Sequence, residues 1–130
     1  MKLRILKQSI RLRLTQPEVA ELGQGKPVSA ELIIGPAPHQ QLIYSLMPSS
    51  NDERVTVSMD TNNIVITLPV ELARELAETE LVTIEESITS SPESNLTICI
   101  EKDFQCLKPR ANGQDEGTFP HPNANPDESC

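Results

Sequence analysis

At 130 residues and a formal net charge of −8, the chain has the size of one domain and can bury only a modest core. With no Trp, one Tyr and two Phe it offers no aromatic platform for single-stranded nucleic acid, so its interior must be built of Leu, Ile, Val and Met. No apolar run approaches the ~20 residues of a membrane span, and the opening MKLRILKQSI lacks the apolar centre of a signal peptide; a soluble, cytoplasmic protein without membrane contact is expected.

Residues Lys2 to Leu6 alternate polar and apolar side chains, placing Leu3 and Ile5 on one face, and Ile10, Leu12 and Leu14 repeat the pattern in SIRLRLT. Period two predicts half-buried strands, with Arg4, Arg11 and Arg13 on the wet face. Thr15 with Glu18 three residues on has the capping-box spacing, Val19 and Leu22 follow at helical spacing, and Gly23 reads as the C-terminal stop. Val28 to Ile34 and Gln41 to Met47 are predicted strands joined by the proline-rich GPAPHQ.

After PSSND the order recurs. Arg54 to Asp60 alternates through Val55, Val57 and Met59, Thr61 to Asn63 turn, and Ile64, Ile66 and Leu68 form the next inward stripe. Pro69 suits a first helical turn, and Leu72, Ala73 and Leu76 make the apolar face of PVELARELAET. Leu81 to Ser87 and Asn95 to Glu101 close the series. From Lys108 onward Pro, Gly, Asn and acids dominate, which predicts a tail over 108–130 with Phe119 as its one anchor, following a single domain over 1–107.

A shift of 54 residues lays the chain on itself without a gap. Ile10, Leu14, Glu21, Leu22, Val28, Glu31, Ile34, Pro38 and Leu42 fall on Ile64, Leu68, Glu75, Leu76, Val82, Glu85, Ile88, Pro92 and Leu96, nine identities in the 45 pairs that begin at Lys2. The expected architecture is therefore mainly β (α+β): internally duplicated ββαββ units, one over about 2–48 and one over about 54–103, forming one pseudo-two-fold barrel. An open sandwich in which the halves only stack is the rival. Carrying both halves on one chain removes the need for a homodimer, so a monomer is expected.

The stretch IVITLPVELARELAETELVTIEES resembles the swapped-hairpin DNA-binding domain of AbrB-type regulators and MazE-type antitoxins, and MKLRILKQSIRLRLTQPEVAEL resembles its opening. The resemblance implies a barrel of swapped-hairpin or cradle-loop type with interleaved hairpins, and DNA contact through cations on and after the first hairpin, here Lys7, Arg11 and Arg13. Taken end to end, the chain also resembles an uncharacterised family of small bacterial proteins that begin KLRI…SIRLRLT and carry EKDF-x-CL, here Glu101 to Leu107, before FP-x-P at Phe119 to Pro122. That resemblance implies no known activity.

Charge divides the chain: five cations and no acid precede Glu18, whereas the remainder carries 6 basic against 19 acidic residues. The equivalents of Lys7, Arg11 and Arg13 at a shift of 54 are Thr61, Val65 and Thr67, so half of a symmetric DNA surface would be missing, and each lost phosphate contact weakens binding. The favoured expectation is a non-catalytic binding or regulatory module. Its acidic tail, with Asp115 and Glu116 beside Phe119, would capture a protein partner as the tail of a MazE-type antitoxin does, and DNA recognition is the alternative. A second alternative is a metal or thiol site at Cys106, His121 and Cys130, although no Cys-x-x-Cys or His-x-x-x-His pair is present. The odd cysteine count fits reduced thiols, with Cys99 an inert side chain on a strand. No cofactor is expected, and no nucleophile elbow or phosphate-binding glycine loop suggests an enzyme.

Overall fold

A computed structural model describes residues 1–104 and Phe119. The described residues are mainly β with two α-helices, in the order β1 (Lys2–Leu6), β2 (Ser9–Leu14), α1 (Gln16–Gly23), β3 (Val28–Ile33), β4 (Gln41–Ser49), β5 (Thr56–Asp60), β6 (Asn63–Pro69), α2 (Val70–Glu78), β7 (Thr83–Ser91) and β8 (Ser94–Lys102). The strands form two mixed four-stranded sheets, ordered β1-β2-β8-β7 and β3-β4-β6-β5. Each sheet thus takes one hairpin from either half of the chain, joined at its centre by a parallel pair, β2 with β8 and β4 with β6. No helix among the described residues is long and apolar enough to cross a membrane.

The two sheets correspond register by register. Ile10 faces Ile98 and Leu12 faces Ile100 in one sheet; 54 residues away, Ile64 faces Tyr44 and Ile66 faces Leu46 in the other. The first hairpins agree as well, with Leu3 opposite Leu12 and Val57 opposite Ile66. The gapless correspondence fails on β3 and β7: Val28 faces Leu46, but Ile84, and not Val82, faces Ile100. A slip of two residues keeps every side chain on its face, so the buried pattern survives it.

The expected closed barrel is not formed. At the seam between β5 and β7 the edges are spanned by side chains, with Arg54 Nη2 2.7 Å from Glu86 Oε1, and a groove of about 290 Å³ lined by Val55, Thr56, Ser87 and Ile88 lies where a ladder would have closed the sheet. The core between the sheets and helices is otherwise as the alternation predicts: Leu12, Leu14, Leu22, Leu46, Ile66, Leu68, Leu76, Ile98 and Ile100 are fully buried. Each stabilises the fold by about 1.5–3 kcal/mol relative to exposure. Two residues expected inside are not: Ile5 is 58 % and Met59 67 % exposed. Both lie on edge strands near a hairpin turn, at equivalent places in the two halves. Val28, Val55 and Ile84 fill the core instead.

Helix α1 starts as its sequence predicts, the Glu18 carboxylate accepting from the Thr15 backbone N–H at 2.9 Å and from its hydroxyl at 3.0 Å. It ends differently. Gly23 is the last helical residue, and the left-handed stop is Gly25 (φ 82°), where Gly25 N donates to Leu22 O and Lys26 N to Glu21 O. Gly23 instead lets α1 touch α2, since a Cβ there would stand 2.5 Å from that of Ala77.

Both first hairpins turn on two residues with a non-glycine residue at positive φ, Lys7 (50°) and Thr61 (55°). The next residue clamps the neighbouring hairpin in each half: Gln8 O accepts from Thr97 N and Asn62 O from Ile43 N, while Asn62 Nδ2 donates to Gln41 O at 2.7 Å. A β-branched residue in the left-handed region is strained. Thr61→Gly is expected to raise stability by about 1 kcal/mol and the melting temperature by a few degrees, read by thermal unfolding.

Candidate interaction surface

Arg11 and Arg13 point outward from β2, and the parallel register sets Glu101 of β8 beside them. Arg13 Nε lies 2.8 Å and Arg11 Nη1 3.5 Å from the same Glu101 Oε1. Two of the three cations expected to meet DNA are therefore neutralised in part by one carboxylate of the same sheet. Lys7 sits on the exposed turn between β1 and β2, and makes no ion pair among the described residues. Removing the shared partner exposes the masked charge, so Glu101→Gln is expected to bind duplex DNA several-fold better than the wild type at low salt in a gel shift. Equal mobility would show that the pairing does not set the affinity.

Beneath Arg11, Cys99 is buried on the outer face of the same sheet. Burial pushes its thiol up, Glu85 adds to the shift, and Arg11 opposes it. A raised thiol is a poor nucleophile. Tyr44 is raised too, by burial first and Glu18 second, and its hydroxyl donates to Met1 O at 3.2 Å. Among the described residues no group of three His, Cys, Asp or Glu is placed to hold a metal ion. The metal candidates Cys106, His121 and Cys130 lie outside the described residues, as do Asp115 and Glu116 of the tail and the expected domain boundary at 107.

Phe119 is described, and it returns to the body. Its N–H donates to Asp103 O at 2.6 Å, its ring packs 5.7 Å from that of Phe104, and the Lys102 ammonium lies 5.2 Å from its centre. Asp103, itself buried, is held by Lys2 Nζ at 2.7 Å from Oδ2 and by its own N–H on Leu14 O at 2.8 Å. The start of β1, the end of β2 and the anchor of the tail thus meet at one residue, the first through its carboxylate and the other two through its backbone.

The sequence reading missed the sheet edges. Leu32, Ile33 and Ile34, at and just beyond the end of β3, are 53 %, 62 % and 74 % exposed, and Ile5 with Leu6 on β1 are equally open. Unbroken apolar runs on a strand are a sign of burial on both faces, and both runs were legible. That β1 and β3 are edges was not, because pairing order is a property of the whole chain.

These features define a class: a two-sheet, mainly β protein with hairpins exchanged between its halves. The chain belongs to the DUF7009 family, a family of unknown function, with a match that covers residues 1–123. No curated protein and no solved structure matches it.

Proposed function

We propose that this protein acts as a non-catalytic binding module for another protein, and that exposed strand edges carry the contact. The observation behind this reading is the run Leu32-Ile33-Ile34 at the end of an edge strand. Successive strand residues point to opposite faces, so a partner that covers all three must wrap the edge, as an added strand does. Large apolar side chains left open together on a small protein mark such interaction sites.

The acidic tail is the second contact, in the manner of an antitoxin: Phe119 docked on Phe104 fixes the tail just after Asp115 and Glu116. DNA recognition through Lys7, Arg11 and Arg13 is the weaker reading, since Glu101 holds two of the three. The halves read as copies of one unit, which the equal registers of the two sheets support. Affinity capture from an extract of the producing organism tests the function with three baits: the full chain, a truncation after Arg110, and a Leu32→Ser/Ile34→Ser variant. A discrete protein held by the full chain and lost by either variant is expected. Nothing retained beyond bare resin, together with retardation of duplex DNA by the wild type, would overturn the reading.

A further inference from the structure

Resting on the reading that strand edges are docking surfaces, we propose that the free edge of β1 takes an extended segment of a partner protein in which acidic side chains alternate with apolar ones. β1 ends its sheet, and hydrogen bonds already made fix which of its backbone groups are open. Gln8 O accepts from Thr97 N and Leu14 O from Asp103 N, so the even-numbered residues of β2 turn to β8. Ser9, Arg11 and Arg13 therefore turn to β1, where they lie opposite Leu6, Arg4 and Lys2. That leaves the N–H and C=O of Leu3 and Ile5 pointing off the sheet, spaced for an added strand. Met1 O, next along this edge, is already taken by the Tyr44 hydroxyl at 3.2 Å, which closes one end of the free stretch.

The side chains on the two faces say what the segment must carry. On the inner face Leu3 and Ile5 lie opposite Leu12 and Ile10, and Ile5 is still 58 % exposed, so an apolar neighbour is needed to cover it. On the outer face Lys2 is set opposite Arg13 and Arg4 opposite Arg11, two pairs of like charge. With Lys7 at the turn the hairpin carries five cations, on a chain of net charge −8. Among the described residues the carboxylates paired with them are Glu101 and Asp103, and neither reaches Arg4, which is exposed on the edge strand itself. A strand laid along β1 puts alternate side chains beside Lys2 and Arg4 on one face and beside Leu3 and Ile5 on the other, about 6.8 Å apart along each. Acids at the first positions and apolar residues at the second answer both faces. The same cations argue against other occupants. A second β1 would bring cations against cations, and nucleic acid would use neither the Leu3 and Ile5 backbone nor the apolar face.

Amide hydrogen exchange of the full chain reads the edge residue by residue. A short peptide that alternates glutamate with valine, added at about 1 mM, is expected to slow exchange at Leu3 and Ile5 about tenfold or more and to leave Arg4, whose amide faces β2, unchanged. A peptide of the same composition with its glutamates in one block, and one that alternates lysine with valine, should protect neither amide. Ile5→Pro deletes an edge N–H that no bond uses, and Arg4→Glu reverses a cation without an ion pair among the described residues. Both should keep the circular dichroism spectrum and weaken the peptide about tenfold. Equal protection by the blocked or the basic peptide, or undiminished binding by both variants, would overturn the proposal. So would slow exchange at Leu3 and Ile5 before any peptide is added, which would give the edge to the chain's own tail or to a second copy. Duplex DNA that binds where the alternating peptide does not would overturn it as well. If the peptide fails while Leu32→Ser/Ile34→Ser still abolishes capture of a protein, this edge falls and the docking of partners on strand edges stands; failure of both removes that reading too.

Discussion

Gly23→Ala is expected to destabilise the protein by about 1–3 kcal/mol, although alanine is the better helix former by about 1 kcal/mol. The added methyl would stand 2.5 Å from Ala77 Cβ, a contact that helices held by buried Val19, Leu22, Ala73 and Leu76 cannot relieve without parting. Gly23 and Ala77 are equivalent positions at the 54-residue shift, so the site is self-facing and holds one methyl between its two members. The double variant Gly23→Ala/Ala77→Gly moves that methyl to the other helix. It should recover most of the loss, and a urea titration of the four proteins measures the coupling. Additive effects of the two changes would show that the helices do not compete for this space.

Lys2→Ala is expected to lower stability by about 2 kcal/mol in the same titration. Asp103 is 5 % exposed and its carboxylate is 2.7 Å from Lys2 Nζ, so removing the cation leaves a buried charge without that partner. Breaking a fully buried pair costs about 3–5 kcal/mol; Lys2 is itself half exposed, and water screening reduces the effect. Replacing both, as Lys2→Met/Asp103→Leu, should return most of the stability, because an apolar pair needs no solvation. A loss below about 0.5 kcal/mol for Lys2→Ala would mean that the carboxylate is satisfied without it.

Local periodicity made every strand and both helices legible, because alternation and helical spacing are properties of a few residues. What lay beyond it was the partner of each element. Arg11 and Arg13 were read correctly as outward, but the Glu101 that masks them is 88 residues from Arg13 in the chain, and no local pattern announces it. Ile5 and Met59 were placed inside by the same alternation that succeeds for Leu12 and Ile66. They fail because an edge strand near its turn has nothing above it. Gly23 shows the converse error: a glycine at a helix end was read as the stop, whereas Gly25 holds the left-handed conformation and Gly23 serves a contact with the other half. The barrel failed for a related reason, since closure at the β5–β7 seam depends on two edges that the sequence gives no means of aligning.

The exchange of hairpins has a consequence for how the chain acquires its shape during synthesis. One sheet opens with the first strand and is completed only by β7 and β8, so the β1–β2 hairpin waits for residues near Lys102 before its central parallel neighbour exists. Neither half can mature while the other is still being made. Long-range, parallel pairings of this kind slow folding, because loop closure must precede the contacts that stabilise it. Until then Leu12, Leu14 and Ile10 lack their β8 neighbours on a nascent hairpin, whereas the β3-β4-β6-β5 sheet has all of its strands once Pro69 is made.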